Sequence, residues 1–266
     1  LVFFGYLGMF GVGLTIGLIG AGGAILTVPI MVYLFNVSAL LATSYSLFIV
    51  GASSLVGWIR YHRDGLVDYS TATLFALPSL VGMYATRRML LPLIPNEISL
   101  GGLEAVSKDQ VILTVFSVVM LVASIAMIRG PAPEHQDKGH ARNTFALVGL
   151  GILVGSVAGF IGAGGGFLII PALVVLNQMP MNLAVGTSIL IVATNSILGF
   201  LGDVMADVSV DWIFLAKVTS ISMIGIVFGV SLSKRIEPGR LKKGFGWFVL
   251  ANGCYVLLRQ VLGTGG

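Results

Sequence analysis

Apolar residues run through this chain in long stretches, separated by glycine, proline and short charged clusters. Breaking at those points gives apolar segments near 1–20, 22–36, 39–59, 66–86 and 109–129, and then 143–161, 163–177, 182–202, 210–232 and 244–262. Most reach the roughly 20 residues that cross a ~30 Å hydrocarbon core at 1.5 Å per residue of helix. The segments at 22–36 and 163–177 are only about 15 residues long and are expected to be half-length, tilted or re-entrant helices. The pattern predicts an all-α, polytopic membrane protein.

Composition removes the soluble alternative. Charged residues make up 10% of the chain and hydrophobic ones 56%, whereas a soluble domain carries about 25% charged residues. The lipid bilayer is the implied partner. The net charge of +4 sits in loop clusters, which suits membrane orientation better than a groove for DNA or RNA, so no nucleic acid partner is expected. Oligomeric state is left open. Cys254 is the lone cysteine, so no internal disulfide forms, and its place in the last apolar segment reads as a small buried hydrophobe. His62, His135 and His140 all fall in loops, so neither a metal site nor a cofactor is expected. The run from Leu1 has no basic stretch before it and does not read as a signal peptide.

One segment is written twice. Ile19-Gly20-Ala21-Gly22-Gly23 with Pro29 recurs 142 positions later as Ile161-Gly162-Ala163-Gly164-Gly165 with Pro171, and Gly13/Gly155, Gly17/Gly159 and Leu26/Leu168 keep that register. The turn-forming stretch 130–142, with Pro131, Pro133, Glu134, Asp137 and Lys138, reads as a polar cytoplasmic linker between a first transmembrane repeat, 1–129, and a second, 143–266. Loop charge relates the two. Arg60-Tyr61-His62-Arg63 follows the third segment of the first half, whereas Asp203, Asp207 and Asp211 occupy the corresponding stretch of the second. By the positive-inside rule the first loop is cytoplasmic and its counterpart external, so the repeats are expected to have inverted topology. Arg129, Lys138, Arg142, Lys234, Arg235, Arg240, Lys242 and Lys243 agree, while Arg87, Arg88 and Arg259 dissent. Trp58, Trp212 and Trp247 lie at segment ends, as interface anchors do.

A duplicated glycine break in apolar helices is the sequence sign of a secondary transporter whose halves share a site near the membrane midplane. A helix that begins inside the bilayer leaves its first N–H groups unpartnered, at several kcal/mol each. Gly22-Gly23-Ala24-Ile25 and Gly164-Gly165-Gly166-Phe167 are expected to open two such helices, with no capping carboxylate or hydroxyl at the break. A bound anion can satisfy those donors, and inversion would aim both N-termini at one central point. The candidate substrate-binding residues are therefore Gly20, Ala21, Gly22, Gly23, Gly162, Ala163, Gly164 and Gly165. Thr43 and Ser44, matched at an offset of 144 by Thr187 and Ser188, add hydroxyl donors, and Asn195-Ser196 matches Ser53-Ser54 at 142. Asn195 joins the candidate set. Intramembrane hydroxyls more often bond their own helix, which is the competing reading for each alone. Gly13-x-x-x-Gly17, Gly155-x-x-x-Gly159 and Gly225-x-x-x-Gly229 read as helix-packing pairs. No dinucleotide fingerprint or Walker lysine fits either cluster, and no embedded base accompanies a serine, so no enzyme is expected.

Taken together, the two Gly-Ala-Gly-Gly clusters with Pro29 and Pro171, Ala42-Thr43-Ser44 followed by Trp58, Arg60, Tyr61, His62, Arg63 and Gly65, and Gly186-Thr187-Ser188 with Asn195-Ser196 resemble the TauE/SafE family of sulfite exporters. The resemblance covers nearly the whole chain. It implies a multi-pass permease of the bacterial inner membrane, moving sulfite or a related small sulfur anion or organosulfonate. An anion channel, or a permease for a different small anion, is the alternative that uses the same donors.

Overall fold

The computed structural model describes residues 2–20, 25–95, 97–98, 106–129, 144–161, 166–176, 179–206, 208–233 and 238–261. Its helices are α1 (Val2–Ile19), α2 (Thr27–Phe35), α3 (Ala39–Arg63), α4 (Tyr69–Ala85) with a π-helical turn at Thr86–Leu90, and the short α5 (Leu91–Leu93). After these come α6 (Lys108–Arg129), α7 (Thr144–Ile161), α8 (Gly166–Pro171) with a π-helical turn at Ala172–Leu176, α9 (Met181–Val204), α10 (Trp212–Ser233) and α11 (Pro238–Val261). An antiparallel pair of two-residue strands, β1 (Glu97–Ile98) and β2 (Val106–Ser107), is the one departure from the all-α expectation among the described residues.

Helix boundaries follow the apolar runs because in lipid the backbone must satisfy its own hydrogen bonds. Among the described residues four stretches are long and apolar enough to span: Ala39–Arg63, Lys108–Ile125, Asn182–Val204 and Trp212–Ser233. Val81, Phe145, Ile213 and Phe228 point out of the bundle, as lipid-facing side chains do. The first short helix opens later than expected. Ile25 and Leu26 form a 3₁₀ turn and α2 starts at Thr27, which puts Pro29 in the first turn, where a missing N–H breaks no ladder bond. Gly20 closes α1 in the left-handed region at φ +77°, a conformation glycine adopts without a Cβ penalty.

Contacts give the helices their directions. Gly5 and Tyr6 of α1 meet Phe35, and Gly8 meets Ile30, so α1 and α2 form an antiparallel hairpin. On α3 and α9, Leu47 lies against Gly199 and Gly51 against Ser196 and Ile197, so these two helices are also antiparallel and cross near their middles. One end of the bundle is then marked by Arg60 and the other by Asp203. The starts of α1, α3 and α10 lie at the Asp203 end; the starts of α4, α7 and α9 lie at the Arg60 end.

Glycine sets the two closest helix pairs. On α1, Gly13 and Gly17 face the backbone of Ser222, Ile226 and Val230 on α10, and Gly225 and Gly229 face Phe10 and Leu14 in return. On α7, Gly155 and Gly159 face the backbone of Ser79 and Met83 on α4, and Gly82 faces Ile152. No side chain fits between backbones this close.

Two anchor and packing expectations change. Cys254 is exposed rather than buried. Trp212 and Trp247 are exposed, but Trp58 stacks on His62 with ring centroids 5.6 Å apart, its indole N–H buried in the bundle.

Candidate functional site

Where α3 and α9 cross, polar side chains collect inside the core. Ser53 Oγ donates to Ser222 Oγ of α10 at 3.0 Å, and the Asn195 amide Nδ2 donates to Ser79 Oγ of α4. Ser53, Ser54, Ser79, Asn195, Ser196 and Ser222 are all essentially inaccessible to solvent. Three atoms here, Ser54 Oγ, Ser196 Oγ and Asn195 Oδ1, have no partner among the described residues. An unpartnered buried polar atom costs about 1–3 kcal/mol, and elsewhere among the described residues Ser46 Oγ, Trp58 Nε1 and Gln260 Oε1 are in the same state. Thr27 Oγ1, in the first turn of α2, is buried and unpartnered as well.

The hydroxyl pairs expected to join one site lie at opposite ends. At the Asp203 end, Thr43 Oγ1 donates to its own helix at Leu40 O, 2.7 Å, and Ser44 Oγ accepts from Arg87 Nη2 at 3.1 Å. At the Arg60 end, Thr187 Oγ1 accepts from the Asp68 N–H at 2.9 Å and Ser188 Oγ donates to Val185 O at 2.8 Å. Ser44 and Tyr61, which stands beside Gly186, are 17 residues apart on α3, roughly 25 Å at 1.5 Å per residue. Antiparallel crossing of α3 and α9 is the reason: it superposes the middles of the two helices and separates their starts. Asn195 alone of the expected polar residues reaches the crossing. Gly20 is buried beside Val185 and Ser188, toward the Arg60 end. Ala21, Gly22, Gly23, Gly162, Ala163, Gly164 and Gly165 lie outside the described residues.

A second polar cluster was not foreseen. Arg87 Nε donates to Asp203 Oδ1 at 2.7 Å, Nη2 engages Oδ2, and Nη1 donates to the Gly159 carbonyl at 3.1 Å. The side chains of this ion pair are 9% and 12% exposed. The arginines that offended the positive-inside pattern are thus accounted for in two cases: Arg87 is paired, and the Arg259 guanidinium lies over the Tyr33 and Tyr255 rings at 5.0 and 5.8 Å. Ser79 and Ser222 also escaped notice. Each stands three residues before a packing glycine, Gly82 or Gly225, and that shared spacing was the available signal.

Comparison with known proteins decides what this arrangement belongs to. The family model described as sulfite exporter TauE/SafE matches residues 5–256. The chain belongs to the TauE/SafE family. A probable membrane transporter protein of Xylella fastidiosa (strain 9a5c) is 30% identical over 94% of this chain and 92% of its own length. A probable membrane transporter protein of Bacillus subtilis (strain 168), YunE, is 24% identical over 93% of this chain and 94% of its own. No solved structure matches the chain. As a TauE/SafE member it is a multi-pass membrane transporter and not an enzyme.

Proposed function

We propose that this TauE/SafE member is a secondary transporter that exports sulfite, or a related small sulfur oxyanion or organosulfonate, across the bacterial inner membrane. The observation that carries the reading is the pair of unpartnered buried hydroxyls, Ser54 Oγ and Ser196 Oγ, where α3 and α9 cross. Neutral hydroxyls can hold an oxyanion by donated hydrogen bonds and still release it, and among the described residues no acidic side chain is buried at the crossing to repel it.

Two inverted repeats, 1–129 and 143–266 joined by the linker 130–142, support the same reading. Contacts recur between positions 142 or 143 apart: Gly13 and Gly17 face Ser222 and Ile226, as Gly155 and Gly159 face Ser79 and Met83. Ser53 pairs with Ser222, as Asn195 pairs with Ser79. With the Arg60 end cytoplasmic, such a symmetry supports a crossing at the midplane. Thr43-Ser44 on one side and Thr187-Ser188 on the other become entry and exit stations for an anion moving past the central hydroxyls, and the glycine clusters add backbone N–H donors for it.

Ser54→Ala and Ser196→Ala remove the hydroxyls without changing helix propensity for the worse. Each is expected to raise the KM for sulfite in proteoliposomes about tenfold, as expected when a hydrogen bond to a charged ligand is lost. A double variant with wild-type KM would place the anion elsewhere.

A further inference from the structure

The Asp203 end carries a contact that its counterpart at the Arg60 end makes differently. An offset of 142 puts Tyr61 in the place of Asp203 and Gly17 in the place of Gly159, and an offset of 143 puts Val230 in the place of Arg87. At the Arg60 end, Tyr61 Oη donates to the Gly17 carbonyl at 3.4 Å, and buried Val230 supplies no charge. At the Asp203 end, one guanidinium ties the π-helical turn after α4 to Ser44 on α3, Gly159 on α7 and Asp203 on α9. Packing alone does not demand this pair, because the related position does without it. Two charges held this far out of water are also expensive to keep, and their mutual attraction often only offsets the desolvation.

Arg87 presents its fork to a carboxylate, and the same fork fits any small oxyanion with two acceptor oxygens. A cavity of about 550 Å³ opens beside the pair; apart from Arg87, Arg88 and Asp203 its lining is largely apolar, and through Val81 and Met89 it reaches the outer face of the bundle. The pair therefore has room to separate. We propose that Arg87 is an anion-contacting residue at the exit of the pathway and that Asp203 is its resident stand-in: the transported oxyanion replaces the Asp203 carboxylate on the guanidinium and thereby opens this end. The inference rests on the export reading. Exchange of one anion for another never leaves the guanidinium unpaired inside the protein, and the returning carboxylate expels the cargo and closes the exit. Ser44, already on the Arg87 fork, is the hydroxyl placed to receive the anion from α3.

Sulfite transport by proteoliposomes carrying wild type, Arg87→Gln, Asp203→Asn and the double variant tests this. Arg87→Gln is expected to cut the maximal rate about tenfold or more, through loss of a charge-assisted hydrogen-bonding partner. Asp203→Asn is expected instead to lower the KM, because the anion no longer competes with a carboxylate, and the double variant should be as poor as Arg87→Gln. If the pair is only a clamp, both single variants lose activity and the neutral double recovers, which overturns the proposal. A probe independent of those variants is Gly202→Cys in a Cys254→Ser background, where the new Cβ meets nothing nearer than Tyr84 at 3.7 Å. Its alkylation by an impermeant maleimide should quicken in saturating sulfite, and a rate that sulfite leaves unchanged overturns the proposal even if the other variants fail to fold. Wild-type protein that moves no sulfite defeats the export reading and this inference with it. Wild-type transport that Arg87→Gln leaves intact defeats the inference alone.

Discussion

At the scale of single residues, glycine does two kinds of work that a substitution can separate. A Cβ at Gly155 would overlap the Ser79 backbone of α4, whereas a Cβ at Gly11, on the α1 helix, meets nothing within 4 Å. Gly155→Ala is therefore expected to destabilise the detergent-solubilised protein by about 1–3 kcal/mol, the usual result of overpacking. Gly11→Ala should be neutral or stabilise by up to about 1 kcal/mol through helix propensity. Thermal unfolding of the two variants checks the contrast, and equal losses would mean that α7 and α4 do not touch as described. The spaced glycines were legible in the sequence because close backbone approach in lipid needs small residues at that interval. Ser79 and Ser222 were not legible as a pair of partners for Asn195 and Ser53, since those bonds join positions 116 and 169 residues apart. Cys254 was misread for a reason peculiar to membranes: an apolar side chain facing lipid and one facing the core look alike in sequence.

At the scale of elements, hydrophobic run length gave the helices, but not the direction of the short ones. The length of the 22–36 segment suits either a crossing or a return, and only the Gly5–Phe35 and Gly8–Ile30 contacts choose the return. Likewise the correspondence of Thr43-Ser44 with Thr187-Ser188 was readable, while their separation was not, because it depends on α3 and α9 running antiparallel. A hairpin that returns has both ends at one face. In a Cys254→Ser background, Phe3→Cys and Ser38→Cys are expected to react with an impermeant thiol reagent from the same side, and Arg63→Cys from the other. Labelling of Phe3→Cys and Ser38→Cys from opposite sides would mean that the α1–α2 pair crosses the bilayer.

At the scale of the whole molecule, the two halves are interleaved. Helix α1 of the first half packs on α10 of the second, and α7 of the second packs on α4 of the first, so neither half closes its own core. Rocking one interleaved set against the other about the α3–α9 crossing would expose the central hydroxyls to one face and then to the other, the alternating access that a secondary transporter requires. A channel lined by the same residues would need no occluded state. Counterflow of radiolabelled sulfite separates the two directly. Liposomes carrying the purified protein and loaded with unlabelled sulfite should transiently concentrate external labelled sulfite above its equilibrium level, with a rate that saturates in external sulfite. Label that only equilibrates, without an overshoot and without saturation, would contradict alternating access, and the absence of any sulfite movement would contradict the sulfur-oxyanion reading itself.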